Sequence, residues 1–143
     1  MSNANEKLLA EYPAAWSAHD IEKIQTFFTE DCVYADPTLG VEKHGRDGLV
    51  EFINEVLSMQ PDFHLEYSEY FATDTRGAAV WTITNTWKGE FHGVDVTGKK
   101  VRFTGTTMFE FRDGKICRNT DYWDLTPLML QLGVMTTDLR ACK

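Results

Sequence analysis

The hydrophobic period of this chain changes once, near Pro61, and that change restricts its fold more than any other feature of the sequence. Before it, apolar residues recur every three or four positions, the spacing of a buried helical stripe. Leu8, Leu9, Tyr12 and Trp16 mark a first helix over about 5–18. Pro13 inside it is a bend point, since proline removes one helical hydrogen bond. Asp20 suits the N-cap of a second helix whose apolar side is Ile21, Ile24, Phe27 and Phe28. "CVYADP" reads as a short strand halted by Pro37, followed by a loop with Gly40 and Gly45. Leu49, Phe52, Ile53, Val56 and Leu57 then stripe a third helix over 47–59.

From His64 onward the period is two, the mark of strands with one buried face. Strands are expected at 64–72, 78–91, 99–112 and 115–124, joined by turns at Gly77, Gly93, Gly98 and "RDGK". The tail carries Thr126 as a cap, Pro127 at the first helical position and Gly133 past the end, a short apolar helix. Three helices followed by long strands give an α+β domain, and 143 residues suit one such domain. Helices packed on one face of a curved antiparallel or mixed sheet leave a cone with an apolar interior, a natural pocket.

Alternation decides which side chains enter that cone. Trp81, Ile83, Asn85 and Trp87 share one face; Thr82, Thr84 and Thr86 share the other. On the next strand Phe103, Thr107, Phe109 and Phe111 oppose Thr104, Thr106, Met108 and Glu110, with apolar residues on both sides. On the last strand Asn119, Asp121 and Trp123 lie together, which points Asp121 toward the aromatic face. Each candidate also has a plain structural reading. Asp121 suits a solvated strand end, Asp36 a turn starter before Pro37, and Tyr12 a core tyrosine.

Composition excludes several functions. The net charge of −8 and pI near 4.9 argue against nucleic acid and anionic membranes as partners. No apolar run approaches the about 18 residues needed to span a bilayer, and the polar "MSNANEKLLAEY" has no signal-peptide core. Cys32, Cys117 and Cys142 are widely spaced, which suggests reduced thiols, a cytoplasmic location and no zinc site. No metal-ligand cluster, phosphate loop or nucleophile elbow is present, so neither metal nor cofactor is expected. His19, His44, His64 and His92 fall at strand starts, loops or helix entries, where solvated roles are the rule.

In order along the chain, "EYPAAWSAHDIEKI", "VYADPTLGVEKHGRDGL" and "DGKICRNTDYWDLTPLMLQLG" resemble the nuclear transport factor 2-like superfamily. The first two are similar to ketosteroid isomerases. That resemblance implies Tyr12 as a donor to the substrate oxyanion and Asp36 as the proton-transfer base. The family's second donor falls at or next to Thr106, where this chain has no acid. The third stretch resembles the SnoaL-like polyketide cyclases, and implies Asp121 as general acid/base in an aldol ring closure. Their partner histidine has no counterpart among Thr106, Thr107 and Met108.

Both resemblances imply one elementary step, proton removal next to a carbonyl by a carboxylate that an apolar cavity makes more basic. Trp16, Phe28, Ile53, Trp81, Ile83, Met108 and Trp123 are the expected lining, with Asn85 or Asn119 supporting Tyr12 as donors. The implied substrate is a hydrophobic polycyclic carbonyl compound such as a steroid, terpenoid or polyketide. The alternatives are a non-catalytic ligand-binding or dimerising module of this fold, or a dehydratase or epoxide hydrolase. A homodimer is expected, packed through the threonine face of strand 78–91 and parts of strand 99–112.

Overall fold

The computed structural model describes residues 3–135, so Cys142 lies outside the described residues. Two helices, α1 (Asn3–Ser17) and α2 (Ile21–Thr26), precede strands β1 (Phe28–Asp36) and β2 (Val41–His44). Helix α3 (Gly45–Met59) leads into β3 (His64–Ala72) and β4 (Arg76–Thr86). A small hairpin, β5 (Glu90–Phe91) and β6 (Val94–Asp95), is followed by β7 (Lys100–Arg112), β8 (Lys115–Trp123) and α4 (Thr126–Leu132). The main sheet has the order β2-β1-β8-β7-β4-β3. All pairs are antiparallel except β1 with β8, which makes the sheet mixed. Helix α1 packs on β3 and α3 on β1, so the two long helices close over one face of the sheet. The α+β cone expected from the change of period is the observed fold.

Local chemistry accounts for most boundaries. Helix α1 runs through Pro13 without ending, held by the burial of Leu9, Tyr12 and Trp16 on one stripe. The Asp20 carboxylate accepts from the Lys23 amide at 3.1 Å, the expected N-cap bond. Helix α2 stops sooner than expected, because Phe27 is its C-cap and Phe28 already pairs with Ile116 as the first residue of β1. The expected loop before α3 contains β2, which pairs with the end of β1 from Val33–His44 to Asp36–Val41. Strand β4 ends at Thr86 rather than near 91; Gly89 (φ 97°) and Gly93 (φ 77°) turn the chain into the β5–β6 hairpin. Thr126 is the first residue of α4 rather than its cap; Leu125 precedes it, and the Asp124 side chain accepts from the Thr126 amide at 2.9 Å.

Candidate active site

Strand register assembles the site. The parallel β1–β8 pair sets Tyr34 beside Asn119 and Ala35 beside Thr120, so Asp36 and Asp121 are the next neighbours along. The antiparallel β7–β8 pair sets Thr107 beside Asp121 and Gly105 beside Trp123. Gly105 also lies opposite Trp81 on β4. A Cβ at Gly105 would come within 2.4 Å of the Trp81 ring and 2.7 Å of the Trp123 Cβ. Only glycine lets the two tryptophans close over β7 on the inner face.

The resulting cavity, about 90 Å³, is lined mostly by aromatic and aliphatic side chains, with Asp36, Gln60, Thr107 and Asp121 among its few polar groups. Leu39 lines it and is 43% exposed, which places it at the mouth. No Lys, Arg or His is among the lining residues, and no cluster fit to hold a metal ion occurs among the described residues.

Asp121 accepts hydrogen bonds from three side chains in this cavity. Its Oδ1 accepts from the Thr107 hydroxyl at 2.6 Å and from the Asn119 amide nitrogen at 2.9 Å. Its Oδ2 accepts from the Tyr34 hydroxyl at 2.5 Å. Behind these stand Trp81, whose Nε1 donates to Thr107 at 2.8 Å, and Tyr12, whose hydroxyl donates to Asn119 Oδ1 at 2.9 Å. Burial pushes the Asp121 pKa up; the Thr107 and Tyr34 bonds oppose it, the Asp36 charge adds to it, and the result is about 6. Burial also raises Tyr12, Tyr34 and Tyr67 well above the ordinary phenol value, and the Asp121 charge adds to that, so all three stay protonated.

Asp36 is held differently. Both its oxygens accept from Trp123 Nε1, each at 3.1 Å, and Oδ1 also accepts from the Leu39 amide at 3.1 Å. Burial raises its pKa, while the Trp123, Leu39 and Thr38 bonds pull it down. The turn-starting geometry and a place on the cavity wall thus belong to one residue.

The other expected residues divide clearly. Tyr12, Trp16, Trp81, Ile83 and Trp123 line the cavity beside the two aspartates. Asn119 lies fully buried behind Asp121. Phe28 and Ile53 belong to the solid core, and Asn85 donates to Gln60 at 2.8 Å without reaching the wall. Thr106 and Met108 are corrections, because register turns them to the opposite face of β7, where Met108 is 41% exposed. Thr107 holds the inward position between them. Tyr34 and Thr107 were missed as site residues, although both share a face with residues already singled out. Tyr34 stands two positions before Asp36, and Thr107 alternates with Phe103 and Phe109.

The model of the SnoaL-like polyketide cyclase family matches residues 6–132. The chain belongs to that family. Among solved structures, this SnoaL-like chain is similar to AclR from Streptomyces galilaeus, a proposed hydroxylase. The two are 29% identical over 95% of this chain and 100% of AclR, with a TM-score of 0.81. A proposed polyketide cyclase from Xanthomonas campestris pv. campestris is 23% identical over 92% of this chain and 98% of its own, with a TM-score of 0.80. A Catenulispora acidiphila protein with a ketosteroid isomerase-like fold, crystallised with trimethylamine, shares 18% identity over 91% and 97% of the chains, with a TM-score of 0.77. At these identities the last two show the shared fold alone. No curated protein matches this chain.

Proposed function

We propose that this chain is a cofactor-independent acid–base enzyme of the cyclase type, with Asp121 as its proton-transfer group. The observation that carries the reading is a carboxyl buried in an apolar cavity, held by three neutral donors, with no cation on the cavity wall among the described residues. A pKa of about 6 lies where a general base is both ionised and basic enough to act. Asp121 takes a proton from carbon next to a carbonyl, and the C–H electron pair becomes the enolate double bond as charge moves to oxygen. The enolate carbon attacks a second carbonyl of the same molecule and forms a C–C bond. Asp121 then returns its proton to the new alkoxide, which restores the carboxylate. Asp36 is its electrostatic neighbour, since two carboxyls this close resist ionising together. The aromatic walls suit a flat, hydrophobic polycyclic substrate, and family membership favours a polyketide over a steroid or terpenoid.

The test is deuterium uptake from heavy water into flat enolisable ketones such as 2-tetralone, measured for the parent and Asp121→Asn. Exchange that depends on Asp121 supports the reading. If neither Asp121→Asn nor Asp36→Asn slows it, the cavity is a binding site and the non-catalytic alternative replaces the enzyme.

We also propose that the chain acts as a homodimer through the outer face of β4, β7 and β8. Val80 pairs with Thr106 and Thr106 with Tyr122, while Met108 pairs with Thr120, so these residues form one uncharged patch. Tyr122 is 53% exposed within it, an apolar surface that a second copy of the same patch would cover.

A further inference from the structure

Two hydrogen-bond chains end on Oδ1 of Asp121, and both run one way. Trp81 Nε1–H donates to Thr107, whose hydroxyl hydrogen is thereby directed to Asp121. Tyr12 donates to the Asn119 oxygen, which fixes the amide so that its nitrogen faces Asp121. Oδ1 already accepts from two donors and Oδ2 from one, which leaves Oδ2 the more basic oxygen, and the Asn119 amide nitrogen cannot accept a proton from Oδ1. A proton captured by Asp121 therefore resides on Oδ2. The partner of Oδ2 is the Tyr34 hydroxyl, a group that both donates and accepts. The Tyr34 ring lies against Phe52 at 4.6 Å between centroids and against Trp16 and Phe28 at 6.5 and 6.4 Å. Only its hydroxyl hydrogen is free to turn, and Tyr34 lines the cavity.

We propose that Tyr34 is the switchable oxyanion donor of this site: it donates to Asp121 while that carboxyl is ionised, and to the substrate's enolate oxygen once Asp121 has taken the proton. This rests on the acid–base reading above. As the α-carbon proton binds Oδ2, the new O–H donates to the Tyr34 oxygen, and the Tyr34 hydrogen rotates into the cavity. Proton capture and oxyanion stabilisation become one event. The donor acts only after charge has moved to the substrate, which is where a hydrogen bond accelerates reaction rather than merely tightening binding. Tyr12, the donor expected from the sequence, is instead a positioning residue, since its hydroxyl is spent on Asn119.

The experiment is a double-mutant cycle on binding of 2,4-dinitrophenolate, a flat anion whose oxygen stands in for the enolate, followed by its absorbance. Asp121→Asn mimics the protonated acid, because its amide nitrogen donates to Tyr34 from the Oδ2 position. In that background Tyr34→Phe is expected to weaken binding about tenfold or more, the loss of one hydrogen bond to a charged oxygen. In the Asp121 background at about pH 8, the same change is expected to alter binding less than about twofold, because the hydroxyl is already engaged. Equal factors in both backgrounds, no effect of Tyr34→Phe in Asp121→Asn, or no binding to Asp121→Asn at all would each overturn the proposal.

Should Asp121→Asn fail to fold, lowering the pH of the Asp36→Asn protein protonates Asp121 itself, at a lower pH than in the parent because the Asp36 charge is gone, and supplies the same comparison. Among the described residues the titratable groups facing Asp121 are Asp36, Tyr12, Tyr34 and Tyr67, and the three phenols do not ionise in that range. The cycle needs no turnover. A cycle that holds in a protein unable to exchange deuterium keeps the donor and removes the acid–base reading; a flat cycle in an active protein does the reverse.

Discussion

Asp121 and Asp36 lie next to each other across β1 and β8, line one cavity, and are both raised in pKa by burial. Their settings differ. Asp121 sits within a strand and takes donors from β1, β7 and β8, each backed by packed aromatic rings. Asp36 ends its strand, shares one indole N–H between two oxygens, and helps to start the turn before Leu39. Both are buried; Asp121 is held by three side chains from three strands, Asp36 by one indole and the backbone of its own turn. A carboxyl held that firmly keeps its lone pairs aimed while its charge is disfavoured, a combination suited to proton transfer at a defined point. A carboxyl at a turn can tune that group without replacing it.

The contrast predicts unequal losses. Asp121→Asn is expected to slow ketone exchange by about 10²–10⁴-fold, the usual contribution of a general base. The same change should stabilise the fold at neutral pH. In the folded protein the Asp121 pKa is raised from 3.8 to about 6, so its contribution to stability is full below about pH 4, declines as pH rises through 6, and stays low above that. Asparagine removes the decline, and thermal melts at pH 8 should favour the variant by at most about 3 kcal/mol, with little difference at about pH 4. Equal melts at both values would show that burial does not burden this carboxylate.

Thr107→Val comes next. It removes a donor to Asp121 and leaves the Trp81 N–H unpaired, with an expected cost of about 1–3 kcal/mol in denaturant unfolding. The Asp121 pKa should rise further, so the acid limb of the pH–rate profile moves to higher pH. Asp36→Asn should cost less, about tenfold in exchange, because Trp123 and Leu39 keep an oxygen to donate to. If Asp36→Asn proves as damaging as Asp121→Asn, the two aspartates are equivalent and the comparison fails.

The fold was legible because its evidence is periodic. Stripes such as Leu49, Phe52 and Ile53, and alternations such as Trp81, Ile83 and Asn85, report burial within a single element. The site was legible only in part, because it depends on register between elements. Asp121 and Trp123 could be placed on one face by alternation alone. That Tyr34 would meet Asp121 follows from the parallel pairing of β1 with β8, which no local pattern encodes. Alternation groups Thr107 with Phe103 and Phe109, apart from Thr106 and Met108, but apolar residues on both faces of β7 leave open which face is inward until its pairing with β8 selects Thr107. Apolar outer residues thus concealed the inner face.

The smallest effect on the cavity is expected from the outer face. Tyr122→Lys places a charge in the uncharged patch and should shift the protein from dimer to monomer by light scattering, with ketone exchange per chain nearly unchanged. A parent protein that is already monomeric at micromolar concentration removes the dimer proposal.

The central claim is that Asp121, titrating near 6, moves the proton, and the pH dependence of deuterium exchange tests it most directly. In the parent the exchange rate should rise with pH and level off above about 6, as the carboxylate forms. In Asp36→Asn the same limb should lie at lower pH, because the Asp36 charge that raises Asp121 is gone. In Asp121→Asn that limb should vanish together with most of the rate. A limb that persists near 6 in Asp121→Asn and disappears in Asp36→Asn would contradict the account and make Asp36 the base.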